Sequence, residues 1–573
     1  MLTPLTTCVL VSSLALAQDS RPEPPPRPDA PASGLVQRTD RATDGFTLFA
    51  PLQSGTTYLV DAAGEVAHEW KTEFGPGNAV YLLPSGNLLR CVRVEDNAPF
   101  RGGGIGGRLQ ELAPDGSVVW DYSLATEEYH HHHDVEPLPN GNVLAIVWER
   151  LTKEQAVALG RDPEQVGADG FWVDAVLEIE PVRPAGGKIV WRWSSADHLI
   201  QDRSEDAQGY GEVPLHPERI DVNVDHRDRP PETAAQREQR EEMERKMRAL
   251  GYVGGDEDDD EDARPQGGEG GSDWLHTNSI DYHAELDLVA LSVRSLGEVW
   301  VIDHSTTMEE SAGSKGGRYG RGGDLLYRWG QPQNYGARGK RQLFGQHDAT
   351  FVDGADGALH LLVFDNGAGR PGDVSYSAVV ELDLPFDAKT GFAREDGAFG
   401  PAAPAWSYTA PEKADFFSSF ISGAQRLASG NTLIASGSKG RLFEVTPAGE
   451  IVWEYVNPHG GDLAMGHGGG PRRGSPPAGG PPGRGPRGDG PPDGERPQGP
   501  PNGDRPEGPP GGDRPDGPRG ADERGGPRGA DERGSPRGRR GGGPGGMSSG
   551  AVFRAVRYAP DDAGVRALLG EER

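Results

Sequence analysis

The sequence predicts an all-β chain: a six-bladed β-propeller interrupted by two low-complexity insertions. Three observations lead there. A β-rich run ending in tryptophan recurs six times, at Trp70, Trp120, Trp193, Trp329, Trp406 and Trp453. A Leu-Pro-x-Gly-Asn-x-Leu turn stands at 83–89 and 138–144, and returns with Ala in place of Pro at 427–433. Trp70 to Trp120 and Trp406 to Trp453 are 50 and 47 residues apart, within the repeat length of about 40–50 residues that a propeller blade needs. A β-sandwich with chance Gly-Asn hairpins is the competing reading, but a sandwich gives tryptophan no reason to recur in phase.

Taken in chain order, residues 1–17 form a short apolar run ending in Ala15-Leu16-Ala17, which fits an export leader with a small-residue cleavage site. Residues 18–43 are a Pro-rich linker, and 44–224 hold the first two blades and the beginning of the third. Residues 225–271 combine a helical pattern over 233–250 with the acidic run 256–262, which lacks the glycine turn of a calcium loop and reads as a solvated insertion. Blades three to six resume over 272–459. Residues 460–546 are loose Gly, Pro, Arg and Asp repeats, a composition that buries too little apolar surface to fold. In the final stretch, 547–573, the strand-like run 551–558 is expected to complete the last blade and close the ring, with a tail behind it. These segments account for a chain of 573 residues that is only 34 % hydrophobic yet carries 86 Gly and 50 Pro.

Charge and cysteine content exclude several classes. A formal net charge of -30 argues against nucleic acid or an anionic membrane as the main partner. No run approaches the roughly 20 apolar residues of a membrane helix. Cys8 and Cys91 cannot build a disulfide framework. The sequence has no phosphate-cradling Gly loop ending in Lys-Ser/Thr and no nucleophile elbow.

The repeat phase singles out a set of histidines. The residue that begins the inner strand of each unit converges on the central channel, and in the first five repeats it is Asn78, His133, His276, His347 and Ser422. Three imidazoles thus share one structural position. Both His133-Asp134 and His347-Asp348 place a carboxylate beside the ring, where it is expected to fix the tautomer. Arg370, after the turn of Phe364-Asp-Asn-Gly-Ala-Gly-Arg370, and Arg294, ending Leu291-Ser-Val-Arg294, offer planar donor forks for sulfate, phosphate or carboxylate. Histidines with arginines favour an anionic ligand or group transfer without a cofactor. A three-histidine zinc site is the rival.

These same residues carry a resemblance. Asp273-Trp-Leu-His276-Thr-Asn278-Ser-Ile, Gln346-His347-Asp348, Phe364-Asp-Asn366-Gly-Ala-Gly-Arg370 and Gly440-Arg-Leu-Phe-Glu-Val-Thr-Pro are similar to the arylsulfate sulfotransferase family over about residues 44–558, outside the insertions. The resemblance implies a six-bladed, periplasmic or secreted enzyme. It would move a sulfuryl group from a phenolic sulfate ester to a phenol acceptor, without a nucleotide sulfate donor, through a sulfated histidine. His276 and His347 would match active-site histidines, and Arg370 the arginine on the sulfuryl oxygens. Asn278, Asp348, Asn366, Arg294 and Ser422 are expected to complete the substrate site, with His133 as a further catalytic candidate. The family's late histidine falls near residues 435–441, yet no histidine occurs between His360 and His459. Three readings follow: His133 or His347 acts as nucleophile; a non-catalytic propeller binds sulfated or carboxylated ligands or a partner protein; or, more remotely, an eight-bladed, calcium-holding quinone dehydrogenase shares the tryptophan repeat.

Overall fold

The computed structural model describes residues 33–94, 97, 99–167, 169–224, 245, 247, 272–354, 357–372, 374–395, 397–460 and 550–570. The expected leader, nearly all of the helical and acidic insertion and the Gly/Pro/Arg segment lie outside the described residues.

Six antiparallel sheets form the ring. Blade 1 holds Phe46–Pro51, Thr56–Asp61 and Val66–Lys71, and blade 2 holds Pro76–Leu82, Leu88–Arg93, Gly107–Leu112 and Val118–Ser123. Blade 3 holds Tyr129–Pro137, Val143–Leu151, Phe171–Pro181 and Gly187–Ser194. Blade 4 holds Thr277–His283, Leu288–Val293, Glu298–Asp303 and Tyr327–Trp329, and blade 5 holds His347–Asp353, Leu359–Asp365, Ala378–Asp383 and Trp406–Tyr408. Blade 6 holds Gly423–Arg426, Thr432–Ser436, Arg441–Val445 and Ile451–Val456. Among the described residues no helix is long and apolar enough to cross a membrane.

Both chain ends close the ring, and this corrects the expected closure. Val552–Tyr558 is the innermost strand of blade 1, with Phe46 opposite Tyr558 and Pro51 opposite Val552, and is not part of the last blade. Gly34–Arg38, inside the expected linker, instead pairs with Ile451–Val456 and covers the outer edge of blade 6. Each end is thereby hydrogen-bonded to the other end's blade, so neither Ile451–Val456 nor Phe46–Pro51 is left as an open edge. Because blade 1 takes its inner strand from the C-terminus, Asn78, His133, His276, His347 and Ser422 belong to blades 2 to 6, one later than the repeat count suggested. For the same reason residues 225–271 fall between complete blades 3 and 4 and do not split the third.

The sequence repeat has two physical causes. Every counted tryptophan lies on the fourth strand of its blade, and five of the six donate the indole N–H to a main-chain carbonyl of the next: Trp120 to Gly186, Trp193 to Gly323, Trp329 to Pro401, Trp406 to Pro447 and Trp453 to Ala62, at 2.7–2.9 Å. Each is a large apolar wedge with one polar tip, a combination only tryptophan supplies at that reach. Trp70 is buried with its Nε1 bonded to no described residue, packed edge-on to His68. The turn asparagines Asn87, Asn142 and Asn431 each donate Nδ2–H to a glutamate on the third strand of their own blade, Glu111, Glu178 and Glu444, at 2.6 Å. The preceding Gly86, Gly141 and Gly430 have φ of 83–86°, open to glycine without strain.

Candidate active site

At the channel mouth the inner strands are irregular. The pairing register breaks between Pro76 and Val80, His131 and Val135, Thr277 and Ser279, and His347 and Ala349. Left-handed backbone clusters there: φ is 92° at Asn78, 56° at His133, 52° at His276, 54° at Asp348 and 92° at Ser422. A regular strand sends successive side chains to opposite faces; bulges with left-handed residues re-aim them. Strain of this kind persists only where surrounding structure over-determines it, and it gathers at functional sites.

His133 and His276 meet at ring centroids 4.6 Å apart, edge to face. Burial holds the His133 imidazolium well below its usual range, and the nearby charges of His276, His132, His347 and Arg294 add to that. Burial does the same to His347, reinforced by Arg294. Both rings are therefore neutral at physiological pH, and Arg294 is the guanidinium whose field reaches both. His276 retains side-chain exposure of 14 %, whereas His133 and His347 are closed off.

Each ring has its own support. His276 Nδ1 donates to Asp273 Oδ2 at 2.5 Å, and Trp148 Nε1 donates to Asp273 Oδ1 at 3.0 Å. No hydrogen bond from a described residue reaches His276 Nε2, which leaves its lone pair to the channel. His347 Nδ1 donates to Asn366 Oδ1 at 2.7 Å and its Nε2 accepts from Ile421 N–H at 3.2 Å. Asn366 is anchored in turn to the carbonyls of Ser418 and Ile421. His133 Nδ1 lies 2.8 Å from His132 Nδ1, and the His132 ring stacks on Trp148 at 4.2 Å. The Gly-rich segment before Gly107–Leu112 packs directly onto these rings: a Cβ on Gly104 would stand 2.1 Å from His133 Cε1 and Nε2.

The carboxylates expected beside the histidines do other work. Asp134 and Asp348 turn along the channel to grip Arg554 of the closing strand, Asp348 at 2.7 Å from Nη1 and Asp134 through Nη2, which also meets Tyr81. A tier of acids surrounds this guanidinium, and burial pushes Asp281 up to about 6. The imidazole partners are Asp273, Asn366 and His132, none of them next in sequence to the ring it holds, save the His132–His133 pair itself.

The remaining expected residues divide between mouth and framework. Asn278 is fully buried and donates to Gln346 O at 2.8 Å, tying blade 4 to the turn that presents His347. Ser422 Oγ joins Ser418 Oγ at 2.8 Å, and Ser418 Oγ joins Ser438 Oγ at 2.8 Å. This hydroxyl cluster occupies the region where the family's late histidine was expected. Arg370 pairs with Asp365 at 2.6 Å and stacks between Phe344 and Tyr376, at 5.0 and 4.5 Å from their centroids. Asp273 was visible in the sequence as the residue three before His276; His132 was hidden in the run 130–133. Among the described residues no three His, Cys, Asp or Glu side chains are grouped to hold a metal ion.

A family model described as Arylsulfotransferase (ASST) matches residues 35–459. No curated protein matches the chain. Solved structures similar to it include a protein of unknown function from Bacteroides caccae, with a TM-score of 0.35 and 10 % identity, covering 72 % of this chain and 94 % of that one. A β-propeller domain from Myceliophteria thermophila has a TM-score of 0.32 and 10 % identity over 75 % of this chain and 91 % of its own. The periplasmic gluconolactonase PpgL of Pseudomonas aeruginosa has a TM-score of 0.34 and 13 % identity over 72 % and 97 %.

Proposed function

From the premise that the chain belongs to the arylsulfotransferase family, we propose that it is an exported enzyme moving a sulfuryl group from a phenolic sulfate ester to a phenol, with His276 as the nucleophile. One observation carries the assignment: among three converging histidines, His276 alone combines a carboxylate on Nδ1 with an Nε2 lone pair open to the channel. The Nε2 pair attacks sulfur, the N–S bond forms, the S–O bond breaks and the phenolate leaves. Asp273 stabilises the positive charge that develops on the ring. The acceptor oxygen then attacks the same sulfur, and its proton passes to a neutral neighbouring imidazole. Arg294, whose charge acts on both flanking histidines, is assigned to the sulfuryl oxygens. Arg370, the residue the resemblance nominates for that role, is assigned to the rim of the donor site. Export through the leader 1–17 into the periplasm or medium is part of the proposal.

The test is release of chromophore from 4-nitrophenyl sulfate by the purified chain, with and without phenol, followed by mass spectrometry for a sulfated histidine. Acceptor-dependent release that is lost in His276→Ala, with sulfate on His276, is the expected result. Sulfate on His347 or His133 moves the nucleophile, and no release in the parent protein rejects the transferase. The serine cluster in place of a late histidine favours a second reading, a non-catalytic binder of sulfated or carboxylated ligands. Ligand binding that survives His276→Ala and His347→Ala but falls with Arg370→Ala supports that one.

A further inference from the structure

Two polar atoms in the wall behind His133 face each other without a hydrogen bond. His132 Nε2 and Asp174 Oδ1 are both buried and hydrogen-bonded to no described residue, 3.6 Å apart, in side chains with 0 % and 3 % exposure. Such groups are rare in a folded interior, and a pair of them aimed at one another calls for an explanation. Their setting is rigid. The other oxygen, Asp174 Oδ2, accepts from Thr277 N–H at 2.7 Å, next to His276 in the chain. The His132 ring is pinned on Trp148, whose indole N–H holds Asp273. On its far side His132 Nδ1 meets His133 Nδ1 at 2.8 Å. Among the described residues the charged and titratable groups facing His132 are thus Asp174, His133 and Asp273, with His130 and His131 along its own strand.

We propose that His132 and Asp174 are a buried positioning pair that sets the tautomer of His133 and stores its proton during turnover. The direction follows from the partners. A carboxylate accepts only, so the His132 proton sits on Nε2, facing Asp174; His132 Nδ1 then accepts, His133 Nδ1 donates, and the basic nitrogen of His133 is Nε2. The inference rests on the sulfuryl-transfer reading above. When the acceptor O–S bond forms and the N–S bond at His276 breaks, the acceptor proton moves to His133 Nε2. The Nδ1 proton of His133 moves to His132 Nδ1, and the Nε2 proton of His132 to Asp174 Oδ1. Neither ring is left charged, and the buried carboxylate ends neutral. Departure of the next donor's phenolate runs the same shifts backwards, the proton leaving on the phenol or, when the leaving group is 4-nitrophenolate, to solvent water. His133 is the entrance because its ring touches that of His276, where the sulfuryl group resides.

The test uses the full chain with 15N-labelled histidine, alongside Asp174→Asn and His132→Gln. In the resting parent protein, NMR should show His132 protonated on Nε2 and His133 on Nδ1, and Asp174→Asn should move the His132 proton. The variants should slow transfer to phenol about 10²-fold, the scale of a lost general base. Release of 4-nitrophenolate, a leaving group that needs no proton, should stay within about threefold of the parent. His132 protonated on Nδ1 in the parent overturns the proposal, as do two half-reactions that slow equally or not at all. If the parent releases no nitrophenolate, the transferase reading fails, while the tautomers still decide whether the pair is set as described.

Discussion

Asp273→Asn is the sharpest single test of the site. The substitution preserves size and shape, so the amide still fits between Trp148 Nε1, 3.0 Å away, and His276 Nδ1, 2.5 Å away. What changes is hydrogen-bond capacity. A carboxylate accepts from both donors at once; an amide has one accepting atom and must turn its NH2 toward one of them. If the amide oxygen keeps the indole, the NH2 donates to His276 Nδ1, and the imidazole proton is driven to Nε2, the atom that must attack. A hydrogen bond to a charged group is worth about 1.5–3 kcal/mol. At about 1.36 kcal/mol per tenfold, losing it only in the transition state slows the donor half-reaction by roughly 10- to 150-fold. Tautomer reversal adds to that loss. The assay is the pre-steady-state burst of nitrophenolate, with a thermal melt as control for folding. A burst rate within about threefold of the parent, in a protein that melts normally, would refute the assignment of Asp273 and His276 as a working pair.

Further substitutions probe the frame around that pair. Gly104→Ala places a Cβ 2.1 Å from the His133 ring at a φ of +77°; it should cost at least about 1–2 kcal/mol in thermal stability and reduce transfer, and a neutral result would mean that the segment is loosely held. Arg554→Met strands the buried Asp134 and Asp348 carboxylates and should destabilise by about 3–5 kcal/mol in urea unfolding, more steeply at neutral than at acid pH. Trp120→Phe removes the donor to Gly186 O and part of the buried indole, and should lower stability by at least about 1 kcal/mol. His304 supplies a pH signature. Burial lowers its affinity for a proton, but the hydrogen bond to Asp287 and the carboxylate of Glu178, 3.3 Å from Nε2, outweigh this and push it up to about 9 from 6.5. A group whose folded value is raised contributes fully below its unfolded value, so this share of stability, roughly 3 kcal/mol, is present below pH 6.5 and lost as pH rises towards 9. Urea midpoints across that range should fall in the parent protein and flatten in His304→Gln.

Much of the architecture was legible because it rests on short-range chemistry. A left-handed glycine followed by an asparagine that reaches the neighbouring strand writes itself as Gly-Asn, and a fourth-strand wedge with a polar tip writes itself as tryptophan. Counting those signals yields the number of blades. The channel histidines were legible for the same reason, since the phase of the inner strand follows from the turn behind it. Ring closure was not. Whether residues 551–558 end the last blade or begin the first depends on which unpaired edge the two chain ends leave for each other, and the strand's own residues suit either.

The amino-acid order by itself determined which chemistry is available: neutral imidazoles, guanidinium groups and carboxylates delivered to one mouth. Only the tertiary structure decided who holds whom. Asp134 and Asp348 adjoin His133 and His347 in sequence, yet the bulged, left-handed backbone turns them away to an arginine 420 and 206 residues distant. Asp273 instead holds His276 from three residues upstream, Asn366 holds His347 from the next strand, and Asp174 faces His132 across two strands of one blade. A hydrogen bond depends on atoms within about 3 Å and on their direction. In a ring of blades those are set by how sheets pack around the axis, a quantity no local pattern encodes.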